Sequence, residues 1–323
     1  MANPDLSFVV PVLDEEDSLA TLCQRLLAAA ESVDLTCEVI FVDDGSSDGS
    51  WAAIERLHAA DDRVQALRLS RNFGHQNALW AGLSFSRGQA VVSLDADLQH
   101  PPELVPELVS RWKSGDKVVN TVRVDSGRQG LAKRATSRAF YAVFSFLTGS
   151  TLRAGMADYR LLDRTVVNEL KRFHEPELFL RGLIQWMSFP SSTVEFRAPA
   201  RSSGDTKYSW RRMARLAAAG LTSFSVLPLR LSIVIGFITA LLAFAELVYV
   251  LLMALVYKVT VPGWASMTGI LSLLIGILFV VLGVIGEYVG RTFEAVRYRP
   301  LFLVREYLGV VAPTEGGDED ATR

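Results

Sequence analysis

The chain opens on an exchange between short apolar runs and amphipathic stretches. Leu6 to Leu13 is an apolar run broken by Pro11, and it predicts a strand. After Asp14, Glu15 and Glu16, apolar residues return at helical spacing as Leu19, Leu22, Leu26 and Leu27, the one-sided stripe of a surface helix. Glu38 to Val42 predicts a second buried strand, followed by Trp51, Ile54 and Leu57 at helical spacing. Val64 to Leu69 predicts a third; Asn72 to Gln76 reads as a polar turn, Ala78 to Phe85 as a helix, and Gln89 to Leu94 as a fourth strand. Strand and helix in alternation predict an α/β fold, a parallel sheet with helices on both faces. Such sheets bind ligands at the carboxyl ends of their strands.

The pattern changes near Leu227. The apolar stretch that begins there carries a single carboxylate, Glu246, and a second apolar span runs from about Ala265 to Ile285. Each is long enough to cross a hydrocarbon core about 30 Å thick, so a two-helix transmembrane hairpin over 227–290 is expected. Arg211, Arg212, Arg215 and Arg230 precede the hairpin, Arg291, Arg297, Arg299 and Arg305 follow it, and the link between the spans holds one cation, Lys258. That asymmetry puts both ends of the chain on the cytoplasmic side. Four regions result: a cytoplasmic domain over 1–206, an amphipathic juxtamembrane segment over 207–226, the hairpin, and a cytoplasmic C-terminal segment with a disordered tail over 291–323.

Composition narrows this further. The 323 residues are 50% hydrophobic with a net charge of −2, which offers no basic surplus for nucleic acid. The two cysteines, Cys23 and Cys37, make no disulfide framework and read as core thiols in a reducing compartment. The N-terminal stretch has neither the basic region nor the apolar length of a signal peptide, so the first domain is expected to stay in the cytoplasm.

The candidate chemistry lies at three strand ends: VPVLDEE, VDDGSSDGS and LDADLQH. In the third, Asp95 and Asp97 stand one residue apart. On an extended backbone they project to one side and, with Gln99, present oxygens to a single hard divalent cation. The competing assignment for Asp97 is a helix N-cap before Pro101 and Pro102. No Gly-x-Gly-x-x-Gly follows a strand and no Gly-Lys-Ser or Gly-Lys-Thr loop exists, so neither a dinucleotide fold nor a P-loop is supported. Further on, Arg123, Arg128, Lys133, Arg134, Ser137 and Arg138 precede an aromatic helix of Phe140, Tyr141, Phe144 and Phe146, suited to a bilayer interface.

With these motifs the chain resembles the family-2 glycosyltransferases of the GT-A fold, specifically the polyprenyl-phosphate glycosyltransferases that include dolichol-phosphate mannose synthase and the bactoprenol glucosyltransferases. The markers are VPVLDEE, VDDGSSDGS, RNFGHQNAL, DADLQHPPE, ADYRLLDR, RSSGDTKYSW and GEYVGR. Two departures are visible: Asp14 stands where many members have Asn, and Met156-Ala157 precede Asp158 where a Gly is expected nearby.

The resemblance implies a Rossmann-like GT-A domain with a mixed sheet. It implies inverting transfer of a hexose, with glucose from UDP-glucose foremost, from a nucleotide-diphosphate sugar to polyprenyl (undecaprenyl) phosphate at the cytoplasmic face of the inner membrane. Mg²⁺ or Mn²⁺ would sit at Asp95, Asp97 and Gln99. Asp44, with Asp43 beside it, would accept hydrogen bonds from the base, and Pro11, Leu13 and Glu15 would line the base and ribose pocket. Arg123, Arg134 and Ser137 would hold the acceptor phosphate; Arg201 and Lys207 would close over donor or acceptor phosphates. Asp158 is the expected catalytic carboxylate, and a homotetramer is the expected assembly. A phosphate nucleophile is already an anion at neutral pH, because its second pKa lies near ~6. Asp158 is therefore expected to orient a sugar hydroxyl or Arg160 rather than to remove a proton. His75 and His100 are expected to be structural, whereas Glu246, an acid inside an apolar span, is a functional candidate. The alternatives are the same reaction with another sugar, a processive polysaccharide synthase, and a non-catalytic nucleotide-sugar-binding scaffold. The synthase reading lacks a Gln-x-x-Arg-Trp segment and enough apolar spans.

Overall fold

A computed structural model of the chain describes residues 3–124, 156–173, 179–196, 227–256, 263–297 and 299–310. They fall into two compact units, an α/β domain and a pair of long helices.

In the α/β domain four strands, β1 (Leu6–Val12), β2 (Cys37–Asp43), β3 (Val64–Leu69) and β4 (Ala90–Ser93), run parallel. Helices α1 (Glu16–Glu31), α2 (Ser50–Ala60) and α3 (His75–Phe85) connect them. β1 and β2 are buried at every position, as strands covered on both faces must be. On one face Phe8, Val10, Phe41 and Val92 pack with Leu19, Leu22 and Leu26 of α1, Ile54 of α2 and Leu108 of α4 (Val105–Lys113). On the other, Val9 and Val91 pack with Leu79 and Leu83 of α3, Val166 and Leu170 of α5 (Arg164–Leu170), and Leu183 of α6 (Leu180–Trp186). Cys23 and Cys37 are free and buried in the first of these layers, and burial pushes both thiols up to about 11.

The sheet is larger than the alternation predicts, and it is mixed. Its order is β7-β5-β6-β4-β1-β2-β3-β8, with β5 (Val118–Arg123), β6 (Met156–Asp163), β7 (Ser191–Phe196) and β8 (Val304–Leu308) added at the flanks. β6 runs antiparallel between β4 and β5, setting Arg160 opposite both Ser93 and Asn120. β8 pairs antiparallel with β3. It lies in the C-terminal segment: VREYL alternates half-buried and exposed positions, covers the open edge of β3, and places Glu306 Oε1 3.0 Å from Arg68 Nη1.

Two local expectations also shift. Helix α3 begins at His75, with Gly74 at φ 93° turning the chain into it, so His75 and Gln76 sit on its first turn and not in a loop. β4 ends at Ser93, so Asp95 and Asp97 lie in a turn that includes Leu98 at φ 60°, not on an extended strand face. The two acids converge through that turn instead of through strand pleating.

The second unit pairs α7 (Leu227–Leu255) with α8 (Trp264–Val296). Among the described residues one window, Leu273–Gly290, is long and apolar enough to cross a membrane; the apolar helix segment Leu231–Glu246 is shorter. Large apolar side chains on both helices are exposed, among them Phe237 at 71% and Phe279 at 68%. An apolar surface of that kind marks a face made to be covered. Glu246 lies on α7.

Candidate active site

Three loops at the carboxyl ends of the parallel strands are locked to one another. Asp14, at φ 56°, accepts from the Ser47 N–H at 2.7 Å; this left-handed conformation is one that Asp and Asn tolerate best, which accommodates Asp14 where Asn is usual. The Glu15 N–H donates to Ser50 Oγ at 2.9 Å, and the Gly49 N–H donates to the Glu16 carboxylate at 3.1 Å. Gly45 has φ 78°, and a Cβ there would come within 2.8 Å of the Asn72 backbone nitrogen, so only glycine lets these loops approach. Asp48 accepts from the Ser50 and Glu16 N–H groups, a bracing role at the start of α2.

Asp44 takes the Phe73 N–H at 2.7 Å on one oxygen and the Gly74 N–H at 2.9 Å on the other. Burial raises its carboxyl, and these two donors oppose that. Asp43 is fully buried, accepts from the Ser46 N–H at 3.0 Å and faces Arg68 Nε at 3.5 Å. Asp44 thus ties its loop to the turn before α3, and Asp43 keeps one buried oxygen, Oδ2, that no hydrogen-bond donor meets. For Asp44 the nearest donors are backbone N–H groups of a neighbouring loop.

A cleft of about 370 Å³ opens beside these loops, lined by Pro11, Leu13, Glu15, His75, Asp95, Ala96, Asp97 and Asp158. Four carboxylates share it. Burial pushes Glu15 up, and the charges of Asp97, Asp48 and Asp95 add to that. Burial also raises Asp95, against the pull of His100 and His75. Asp95 Oδ1 is buried and meets no donor; His75 Nε2 lies 3.5 Å away. The Asp95 N–H donates to His100 Nδ1 at 3.0 Å, so that nitrogen carries no proton. His100 is buried, stacks on Tyr159 at 5.3 Å, and has its imidazole pushed down by burial, which gives it the expected structural role.

Asp97 and Gln99 hold each other. Asp97 accepts from the Gln99 N–H at 3.0 Å and from Gln99 Nε2 at 2.7 Å, and Gln99 Oε1 accepts from Arg123 Nη1 at 2.9 Å. Among the described residues no three His, Cys, Asp or Glu side chains converge as a ready metal cage. The donor set still fits a hard divalent cation in kind. It is all oxygen, it sits among uncompensated acids, and one of its buried oxygens, Asp95 Oδ1, is left without a partner.

Asp158 has the opposite surroundings. It projects from β6 with a side chain 14% exposed, and Oδ1 takes Arg160 Nη2 and Arg181 Nη2, both at 3.1 Å. Oδ2 takes Gln76 Nε2 at 3.3 Å and faces His75 Nε2 at 3.7 Å. Its backbone carbonyl accepts from Ser93 Oγ at 2.6 Å, which pins the strand to β4. Burial would raise this carboxyl, but His75, Arg181 and Arg160 outweigh it and hold it well below the usual carboxylate range. His75 is raised in return, chiefly by Asp158.

The structure therefore brings Pro11, Leu13, Glu15, Asp95, Asp97 and Asp158 onto one cleft, with Gln99 and Arg123 joined at its edge. Arg134, Ser137, Arg201 and Lys207 lie outside the described residues. Arg160 meets Asp158 as their spacing on one strand leads one to expect, whereas His75, expected to be structural, is carried by the start of α3 to the cleft. Arg181 comes from α6, and nothing local in the sequence ties it to Asp158.

The mixed α/β sheet with an acid-lined cleft at its strand ends is a GT-A-like domain, and the family it matches makes it a glycosyltransferase. The chain belongs to glycosyl transferase family 2, whose model matches residues 7–171. It is similar to the uncharacterized glycosyltransferase YkcC of Bacillus subtilis (strain 168), 38% identical over 94% of each chain. The prophage bactoprenol glucosyl transferase homolog of Escherichia coli (strain K12) is 33% identical over 93% of this chain and 98% of its own. The undecaprenyl-phosphate 4-deoxy-4-formamido-L-arabinose transferase of Proteus mirabilis (strain HI4320) is also 33% identical, over 98% and 97% respectively.

Proposed function

We propose that this glycosyltransferase moves a hexose, glucose from UDP-glucose in the first instance, onto polyprenyl (undecaprenyl) phosphate, with inversion at the anomeric carbon. The observation that carries the acceptor class is the saturation of Asp158. Two arginines, a glutamine and a histidine occupy its oxygens, so it is a poor proton acceptor. An alcohol acceptor needs a base; a phosphomonoester, with its second pKa near ~6, brings its own negative oxygen. The names of relatives alike over nearly the whole chain supply the same acceptor class and two different sugars.

In this reading Pro11, Leu13 and Glu15 border the nucleotide. Asp95, Asp97 and Gln99 are the residues that would hold Mg²⁺ or Mn²⁺, whose chemistry when bound is to neutralise charge gathering on the leaving diphosphate. Asp158 fixes the sugar through its hydroxyls and through Arg160 and Arg181. Arg123, with Arg134, Ser137, Arg201 and Lys207, receives the acceptor phosphate. The apolar helices α7 and α8 form a membrane hairpin with the catalytic domain and both termini in the cytoplasm, and the chain assembles as a homotetramer.

The deciding experiment incubates membranes containing the protein with radiolabelled nucleotide sugars and polyprenyl phosphate. Label entering a lipid that mild acid releases is the expected result. Absence of lipid label with every donor would sink the proposal. The donor that labels best settles between glucose and the sugar class of the arabinose-derivative transferase.

A further inference from the structure

Arg160 and Arg181, the two guanidiniums on Asp158, also line a second cavity of about 490 Å³, within the ~300–1,000 Å³ range of small-molecule sites. Asp158 thus stands between this cavity and the acid-lined cleft. The wall of the cavity is polar in both senses. Asn120, 7% exposed and opposite Arg160 on the neighbouring strand, has a buried carbonyl oxygen, Oδ1, that no donor meets. Ser192 Oγ and Arg181 Nε are buried there without partners as well. Ile184 and Phe189 supply apolar surface beside them.

Water meets these atoms in the open cavity, and a ligand that displaces it without replacing its hydrogen bonds loses roughly 1–3 kcal/mol for each, so the pattern of donors and acceptors indicates what can take its place. A phosphate, rich only in acceptors, would leave Asn120 Oδ1 unmet. An apolar group would leave all three unmet. Hydroxyl groups both donate and accept, and a ring bearing several of them satisfies all three at once.

We propose that this cavity receives the hexose ring of the donor and that Asn120, Ser192 and Arg181 read its hydroxyls. The assignment rests on the reading of the protein as a nucleotide-sugar transferase. In that reading nucleotide and diphosphate lie in the acid-lined cleft, and the sugar extends from them toward Asp158, whose two arginines line this cavity. Asp158, Arg160 and Arg181 form a fixed frame, because each arginine is already held on Oδ1 at 3.1 Å. Asn120 and Ser192, whose oxygens have no protein partner, are the positions that set which epimer is accepted.

The test compares the full-length wild-type protein with Asn120→Ala, Ser192→Ala and Arg181→Lys. Calorimetry measures binding of UDP and of the UDP-sugar the enzyme uses best, and initial rates measure kcat/KM for that donor and its C4 epimer. The expected result is UDP affinity within twofold of wild type, about tenfold weaker binding of the UDP-sugar, and a narrowed ratio between the two epimers. UDP and UDP-sugar weakening together in all three variants, or an unchanged epimer ratio, overturns the assignment. If Asn120→Ala fails to fold, Ser192→Ala and Arg181→Lys decide by the same criteria. A wild-type enzyme that transfers from no nucleotide sugar overturns the parent reading instead, which keeps the two failures apart.

Discussion

Asp95 and Asp158 line the same cleft, and their surroundings push them in opposite directions. Asp95 is half-buried, with one enclosed oxygen that no donor meets, and desolvation raises its carboxyl. Asp158 is more enclosed, yet two arginines, a glutamine and a histidine surround it and hold it far down. The same side chain thus does two kinds of work. An undersatisfied carboxylate invites a cation from outside; an oversatisfied one is a fixed element of the wall. Among the described residues Asp95 has only two imidazoles near its oxygens, whereas the charge that Asp158 needs is built into the fold.

The contrast can be broken most severely on the Asp95 side. Asp97→Ala, which removes an oxygen donor beside Asp95, is expected to lower transfer by about a thousandfold while membrane fractionation of the protein is unchanged. Chelation of divalent ions should do the same to the wild-type enzyme, with activity returning on addition of Mg²⁺ or Mn²⁺; activity that survives a chelator would remove the cation from the reading.

On the other side, Asp158→Asn keeps the shape of the wall and removes its charge. A loss of about a hundredfold in kcat is expected, and by the same factor at every pH, since misplacement and not proton transfer is the damage. A loss confined to pH below about 6, where a phosphate acceptor carries a proton, would instead show that Asp158 is a base.

Asp163 supplies a control, a saturated carboxylate away from the cleft. It accepts from the Thr165 N–H at 2.9 Å, Thr165 Oγ1, Trp112 Nε1 and Lys117 Nζ, and these donors, against burial, hold it down at about 2. Asp163→Asn should cost about 1–2 kcal/mol of stability at neutral pH with kcat unaltered. The sign follows from the depressed carboxyl. The stabilisation is complete above the ordinary value near ~4 and is lost as pH falls from there toward about 2. Thermal unfolding of the two proteins should therefore converge on acidification.

The smallest effect belongs to Glu306, whose carboxylate meets Arg68 with 39% of its side chain exposed. Glu306→Ala should change stability by no more than ~0.5 kcal/mol by chemical unfolding, as exposed pairs do.

What the sequence revealed and what it hid divide along the sheet. β1 to β4 were readable because parallel strands covered on both faces are continuous apolar runs, as in Phe8–Val10 and Val39–Val42. β5 to β8 carry polar residues at inward positions, such as Asn120, Arg160 and Ser192, and an inward polar side chain erases the periodicity that marks a strand. In the cleft, Asp95, Asp97 and Asp158 were visible as motifs, whereas the hydrogen bonds by which Asp44 ties its loop to the turn before α3 were not.

By itself the sequence determined the family, the alternating α/β core, the acids at the strand ends and the apolar helices, because each rests on residue type and short-range spacing. Tertiary structure alone decided which of those acids is short of partners and which is oversupplied. Arg181 reaches Asp158 from α6, Arg160 from its own strand and His75 from the start of α3. Charge compensation depends on distances across space, and no spacing along the chain encodes where three separate elements will meet.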